Sequence, residues 1–278
     1  MCMDLMAEIT SFYPSLTKSE QKVARHVLDY ADKVLYYSVT ELAEASNVGE
    51  TTVIRFCRKI RFKGYQEFRL ALAQSQSMKK ADSAALAGKE IDFTEKVCNN
   101  AVEVLQVSLS LLDKNKLQAA IDLIDQARHI QFFGVGASGI TALDAKNRFL
   151  RVGRRSDATT DSHIQAMSAV LLEDGDVAVG FSVSGSTKDT NEILAKAKNN
   201  GAKVIAITNY AKSPITGIAD IVLLTAGKES PLEGGSITAK ISQLFVIDLI
   251  CEGLSLKDLE KTKTMKEKTA RAVIDKIY

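Results

Sequence analysis

Residues 39–60 read VTELAEASNVGETTVIRFCRKI, and the way this stretch folds decides the N-terminal third of the chain. Leu42 and Ala43 in its first half, and Val48, Val53 and Phe56 in its second, are spaced as two short amphipathic helices meeting at a corner. Asn47 and Gly49 between them tolerate the positive φ that a tight interhelical turn commonly uses. Thr40 is expected to cap the first helix, which would end near Ser46, and a second helix is expected from about Glu50 to Ile60. Small Ala43 suits the close approach of two crossing helices. Thr51, Thr52, Arg55, Arg58 and Lys59 are then expected to point away from the shared core.

A helix-turn-helix of this kind lays the start of its second helix in the major groove of DNA. Thr51, Thr52 and Arg55 would reach base edges or phosphates, arginine being the best bidentate reader of guanine. From Arg55 to Lys63 the chain carries five cations (Arg55, Arg58, Lys59, Arg61, Lys63) and no acid. Such a run is ordinarily a solvated helix face. Beside this turn, Arg58, Lys59, Arg61 and Lys63 read instead as phosphate contacts that add affinity without sequence information. The net charge of the whole chain is only +2, so the distribution of charge, not its total, points to nucleic acid.

Upstream, LTKSEQKVARHVLDYADKVL (16–35) opens with a capping box in which Thr17 and Glu20 satisfy each other's amides. Downstream, SQSMKKADSAALAGKEID (75–92) is small, polar and charged, a natural boundary. The reading divides the chain into a helix-turn-helix domain over 1–77, a linker over 78–92 and a second domain over 93–278. A helical pattern resumes at Phe93 and continues to Ala127.

From His129 the pattern changes. HIQFFGVG (129–136), DVAVGFS (176–182), KVIAIT (203–208) and DIVLLT (220–225) are short apolar runs separated by helical stretches, with a weaker strand over 155–159. Strands alternating with helices imply a parallel sheet covered on both faces, a three-layer α/β domain. Ligands of such sheets bind beyond the carboxyl ends of the strands, where helix N-termini offer free N–H groups. Two loops fall there, Gly134–Gly139 and Ser182–Thr187. The second puts four hydroxyls and a glycine into six residues at a strand-to-helix junction, a cradle for phosphate oxygens. The first has glycines at the three positions of a dinucleotide fingerprint (Gly134, Gly136, Gly139), but no ribose-binding acid follows a clear second strand, and no P-loop occurs.

Two resemblances join these readings. SVTELAEASNVGETTVIRFCRKIRFKGYQEFRLALA (38–73), through ELAE, the VGETTVIRFCRK run and FKGYQEF, resembles the DNA-binding domain of the RpiR/MurR family of bacterial regulators. It departs from the pattern at Gly49, where serine is more usual, and at Arg61, where glycine is common. GVGASG, FSVSGSTKDT, GAKVIAITN and SPITGIADIVL resemble the SIS (sugar isomerase) domain over roughly residues 115–250. The resemblance implies a phosphosugar ligand whose phosphate is held by Ser138, Ser182, Ser184 and Thr187, with Gly136 and Gly185 admitting the backbone to it; Ser186 falls between the matched positions. It also brings in Lys240 as a sugar-ring contact, with Glu233 and Ser236 nearby. His163, at the same sheet edge, is a further candidate, although a lone histidine is more often structural. The chain as a whole resembles NanR-type members of the family, which implies sialic acid catabolism and an N-acetylmannosamine 6-phosphate effector.

Composition sets the outer bounds. A chain of 278 residues, 46% hydrophobic and 25% charged, suits two globular domains. No uninterrupted apolar run is long enough to suggest a membrane span, and the N-terminus lacks a secretory pattern. Cys2, Cys57, Cys98 and Cys251 are too scattered for a metal site and read as reduced thiols of a cytoplasmic protein. The expectation is an all-α helix-turn-helix domain joined to an α/β SIS domain, acting as a non-enzymatic repressor, with no cofactor and no membrane partner. Its partners would be operator DNA, a phosphosugar and a second copy in a homodimer, the apolar helix over 236–254 contributing to core and subunit packing. The alternative is a phosphosugar isomerase, or a regulator answering to another phosphosugar such as N-acetylmuramic acid 6-phosphate.

Overall fold

The computed structural model describes residues 5–87, 92–227, 232 and 237–274. The chain divides into two compact units, the first chiefly Met1–Asn99 and the second Asn100–Gly227 with Ile237–Tyr278.

The first unit is helical: α1 (Leu5–Phe12), α2 (Lys18–Asp29), α3 (Ala31–Val34), α4 (Val39–Ala45), α5 (Glu50–Lys59) and α6 (Tyr65–Ala87). The capping box at Thr17 and Glu20 forms as the sequence suggests. At α4 the capping residue is Ser38 and not Thr40, because Glu41 stands three residues after Ser38 and completes a second box. Thr40 lies within the first turn and donates its hydroxyl to Glu50 at the start of α5. In the turn only Asn47 has positive φ, 51°; Gly49 has φ −82° and is the N-cap of α5, with no side chain to close it. Leu42, Ala43, Val53 and Phe56 share one core with residues of α1, α2 and α6, and Val48 packs against it. Phe68 meets Phe56 edge-on with ring centres 5.6 Å apart. Thr52 is 7% exposed, so the expectation that it faces outward is corrected: it lies on the same side of α5 as Val53 and Phe56. Helix α6 continues through Ala87, across much of the stretch expected as linker. That stretch has no proline, and its only glycine is Gly88; alanine, lysine and methionine favour helix despite its polarity.

The second unit runs α7 (Phe93–Leu111), α8 (Lys114–Gln126), β1 (Ile130–Phe133), α9 (Ala137–Arg151), β2 (Ser156–Ala158), α10 (Ser162–Val170), β3 (Val177–Phe181), α11 (Lys188–Asn199), β4 (Lys203–Thr208), β5 (Ile221–Leu224), α12 (Ile237–Lys257) and α13 (Leu259–Arg271). The helical pattern read as continuous from Phe93 to Ala127 is two helices, because Asp113 accepts from the amides of Asn115 and Lys116 and starts α8 afresh. The five strands are all parallel in the order β2-β1-β3-β4-β5. Alternation along each strand builds the layers. Ile130, Phe132, Val177, Val179, Phe181, Ile205 and Ile207 face one core with α8, α9 and α12. Phe133, Ala178, Val204 and Ala206 face another with α10 and α11. The result is a three-layer α/β domain.

Among the described residues no helix is long and apolar enough to cross a membrane. Cys57, Cys98 and Cys251 are free, and burial pushes the Cys57 and Cys251 thiols up to about 12, which makes them unreactive packing groups.

Candidate functional site

Strand order reverses between β1 and β3: the chain leaves β1 for β2 on one side, and β3 for β4 and β5 on the other. Such a switch point opens a crevice beyond the carboxyl ends of its two strands. The loops leaving these strands are Gly134–Gly136, which opens α9, and Ser182–Thr187, which opens α11. Gly136 and Thr187 are the N-caps, and neither uses a side chain to close its helix. The amides of Ala137 and Ser138 on α9 and of residues 188–190 on α11 are left for a ligand, while the Gly139 amide donates to the Val135 and Gly136 carbonyls; the positive ends of two dipoles stand behind them.

Hydroxyl chemistry sharpens the reading. Ser138 Oγ accepts from Gln243 Nε2 at 3.4 Å, and Ser184 Oγ accepts from the Ser186 amide at 3.2 Å. Each thereby keeps its own proton to give. Ser182 Oγ and Thr187 Oγ1 lie 3.1 Å apart, so one donates to the other and the pair retains one proton. Neither loop contains a carboxylate or an imidazole. A site built from hydroxyl and amide donors, with no fixed negative charge in its loops, selects an acceptor-rich anion such as a phosphate.

The loops are braced from beneath. Gln165 on α10, fully buried, accepts from the Gly134 amide at 3.3 Å and donates to the carbonyls of Gly134 at 2.8 Å and Thr159 at 2.9 Å. Asn191 Nδ2 and the Ile215 amide donate to the Gly185 carbonyl. Gly185 has φ +62°, and a Cβ there would lie 2.1 Å from Ser213 Oγ; no other residue fits. Sequence reading missed Gln165, Gln243, Asn191 and Ser213. The available signal was a polar residue in an apolar helical row: Gln243 stands in line with Ala239, Val246, Ile247 and Ile250, all buried.

The sugar-ring candidates are placed differently. His163 is exposed on the first turn of α10 and lines a groove with Asp189, Glu192 and Lys196 that includes none of the cradle hydroxyls. The structure does not bring it together with them. Lys240 is half-buried in the first turn of α12, and Glu233 and Ser236 lie outside the described residues.

On the first unit, Thr51, Arg55 and Arg58 are exposed along α5. Arg55 also donates to the buried Thr52 hydroxyl at 3.3 Å, so Thr52 serves as a rest for the guanidinium and not as a contact of its own. Lys59 is tied to Glu20 at 3.2 Å, which spends its charge inside the unit. Burial raises the Glu20 carboxyl, but the Thr17 amide, Lys59 and the Thr17 hydroxyl outweigh it and hold the group below its ordinary value. Arg61 has φ 72°, the left-handed region where glycine is the easy choice, and its guanidinium lies over the Phe12 ring at 5.4 Å. Lys63 is exposed, its amide donating to Glu67.

Comparison with known proteins agrees with both halves. Residues 3–79 match the helix-turn-helix domain of the rpiR family, and residues 123–252 match the SIS domain. An HTH-type transcriptional regulator of Haemophilus influenzae is 38% identical over 98% of this chain and 97% of its own length. The HTH-type transcriptional regulator HexR of Escherichia coli is 33% identical over 99% and 97%. Among solved structures, the Vibrio vulnificus NanR protein complexed with ManNAc-6P is 31% identical, covers 98% of this chain and 99% of that one, and superposes with a TM-score of 0.90.

Proposed function

The chain belongs to the rpiR family of helix-turn-helix transcriptional regulators and carries a sugar-phosphate-binding SIS domain; from that premise we propose that it is a repressor of sialic acid catabolism whose hold on operator DNA is weakened by N-acetylmannosamine 6-phosphate. The observation that carries the ligand class is the donor set at the switch point, the hydroxyls of Ser138 and Ser184 and one of the Ser182–Thr187 pair keeping a proton to give, beside two helix N-termini without side-chain caps. The likeness to a NanR protein solved with ManNAc-6P supports the choice of sugar.

Sensing, and not isomerisation, is the reading favoured by the site. An aldose–ketose isomerase needs a general base beside the sugar carbons. Neither cradle loop supplies a carboxylate or imidazole, and His163 lines a separate groove. A regulator needs only a ligand that binds unequally to two arrangements of the protein. The working form is a homodimer, as a two-fold operator requires. Exposed Ile140, Leu143 and Leu150 on α9, with Ile164 and Met167 on α10, supply apolar surface suited to it. Helix α12 turns Val246, Ile247, Ile250 and Leu254 into its own domain.

Calorimetric titration with hexosamine 6-phosphates and their unphosphorylated forms tests the proposal, followed by operator binding with and without the sugar that binds. Heat from N-acetylmannosamine 6-phosphate alone, with weakened operator binding, is the expected result. Binding of a different phosphosugar would reassign the pathway, and no binding by any would end the sensing proposal.

A further inference from the structure

We propose that Gln243 is a positioning residue that fixes the direction in which the Ser138 hydroxyl donates, and so sets the affinity of the cradle for phosphate. This rests on the reading of the two loops as a phosphosugar site.

Gln243 is fully buried in an otherwise apolar row of α12. A buried amide is costly unless its polar atoms are paired. Gln165, the other fully buried glutamine at these loops, pairs both ends of its amide with main chain and so holds the shape of the loop. Gln243 does something else. Its Nε2 reaches the loop only at the Ser138 hydroxyl, 3.4 Å away, and its Oε1 has no hydrogen-bond partner. Val246, Ile247 and Ile250 of this row belong to the apolar core, and a methionine at 243 would be of similar length without leaving an acceptor unpaired.

What the amide supplies is direction. A serine hydroxyl has one proton and two lone pairs. Ser138 stands in the first turn of α9, where serine hydroxyls turn back toward carbonyls three or four residues earlier. A hydroxyl turned that way presents only lone pairs to a ligand, and phosphate oxygens have no proton to give them. With Gln243 donating to one lone pair, the Ser138 proton is turned away from the amide and remains for an acceptor. Ser184 is set in the same sense by the Ser186 amide, so the cradle uses one device twice, once from main chain and once from a side chain on the neighbouring helix α12.

The test is a double-mutant cycle on the full chain: wild type, Gln243→Met, Ser138→Ala and the double variant. Each is titrated with N-acetylmannosamine 6-phosphate and with inorganic phosphate, and melted to obtain Tm. Gln243→Leu serves as a second substitution should the methionine variant fold poorly. Loss of one hydrogen bond of this kind predicts binding weakened about three- to tenfold by Gln243→Met. In the Ser138→Ala background the same change should have no further effect. Tm should not fall, because the unpartnered Oε1 leaves with the amide. An equal loss of affinity in both backgrounds, or unchanged affinity in the single variant, overturns the proposal while leaving the phosphosugar site standing. A wild-type protein that binds neither probe overturns both.

Discussion

Gly185 is the residue on which the cradle turns. Its φ of +62° and the 2.1 Å that would separate a Cβ from Ser213 Oγ leave no room for a side chain, and backbone strain of this kind costs about 1–3 kcal/mol before any clash. Gly185→Ala should therefore lower Tm and abolish phosphosugar binding together; an alanine variant that melts and binds like wild type would show that the loop yields easily. Ser184→Ala should instead leave Tm and operator affinity intact while weakening the response to the sugar. On the other unit, Arg55→Ala should cost about 1–3 kcal/mol at one operator position and relax preference there, as a competition series of single-base operator variants would reveal. A uniform loss across all positions would make Arg55 a phosphate contact. The hydroxyls and glycines of the cradle were legible in the sequence because they cluster in two six-residue loops, 134–139 and 182–187, each at a strand-to-helix junction. Gln165 and Gln243 were not, since a lone glutamine in a helix carries no local signal and its meaning comes from the distant stretch of chain it meets, residues 134 and 159 for Gln165 and residue 138 for Gln243. Thr52 was misread for a related reason: next to outward-facing Thr51 it looks like the same chemistry, and one residue of helical rotation separates surface from core.

Elements were read best where the strand is rich in apolar residues. The runs that became β1, β3, β4 and β5 are mainly apolar and bounded by turn residues, while three-residue β2 at the edge of the sheet is nearly polar and was only faintly marked. Helix starts were harder, because Ser38 and Thr40 are equally plausible caps until Glu41 is seen to complete the box with Ser38. The matching box on α2 makes a prediction at this scale. Glu20, 5% exposed, closes the box at Thr17 and holds Lys59 at the end of α5, and these partners keep its carboxyl below the ordinary value of 4.5 despite burial. A carboxyl depressed in the folded state contributes stability that is fully present above its unfolded pKa. That contribution is lost as pH falls through the folded value. Wild type should thus melt above Glu20→Gln at neutral pH, and the gap in Tm should narrow below pH 4.5. A gap that stayed constant from neutral pH to well below 4.5 would mean the carboxylate charge plays no part.

At the scale of the whole molecule the sequence separated two kinds of chemistry, cations around α5 and hydroxyls after β3, and each lies on its own hydrophobic core. What no stretch of sequence specifies is how strongly the two are coupled, because coupling belongs to the difference between two states of the assembly and not to any residue. Thermodynamics nevertheless constrains it. If the phosphosugar weakens operator affinity by some factor, the operator must weaken sugar affinity by the same factor. Both are measurable at one salt concentration: operator binding with saturating sugar, and sugar titration with saturating operator. Salt must be held fixed, since phosphate contacts of the kind proposed for exposed Arg55, Arg58 and Lys63 make affinity for DNA fall steeply with ionic strength. Removing one phosphate-binding cation, as in Arg58→Ala, should reduce the slope of log affinity against log salt by about one per site. It should leave the coupling factor unchanged, because an interaction of equal strength with and without sugar cancels from the ratio. A coupling factor that changed with Arg58→Ala would place that arginine among the groups whose interactions differ between the two states, and the sugar would then act by altering how α5 meets the phosphates.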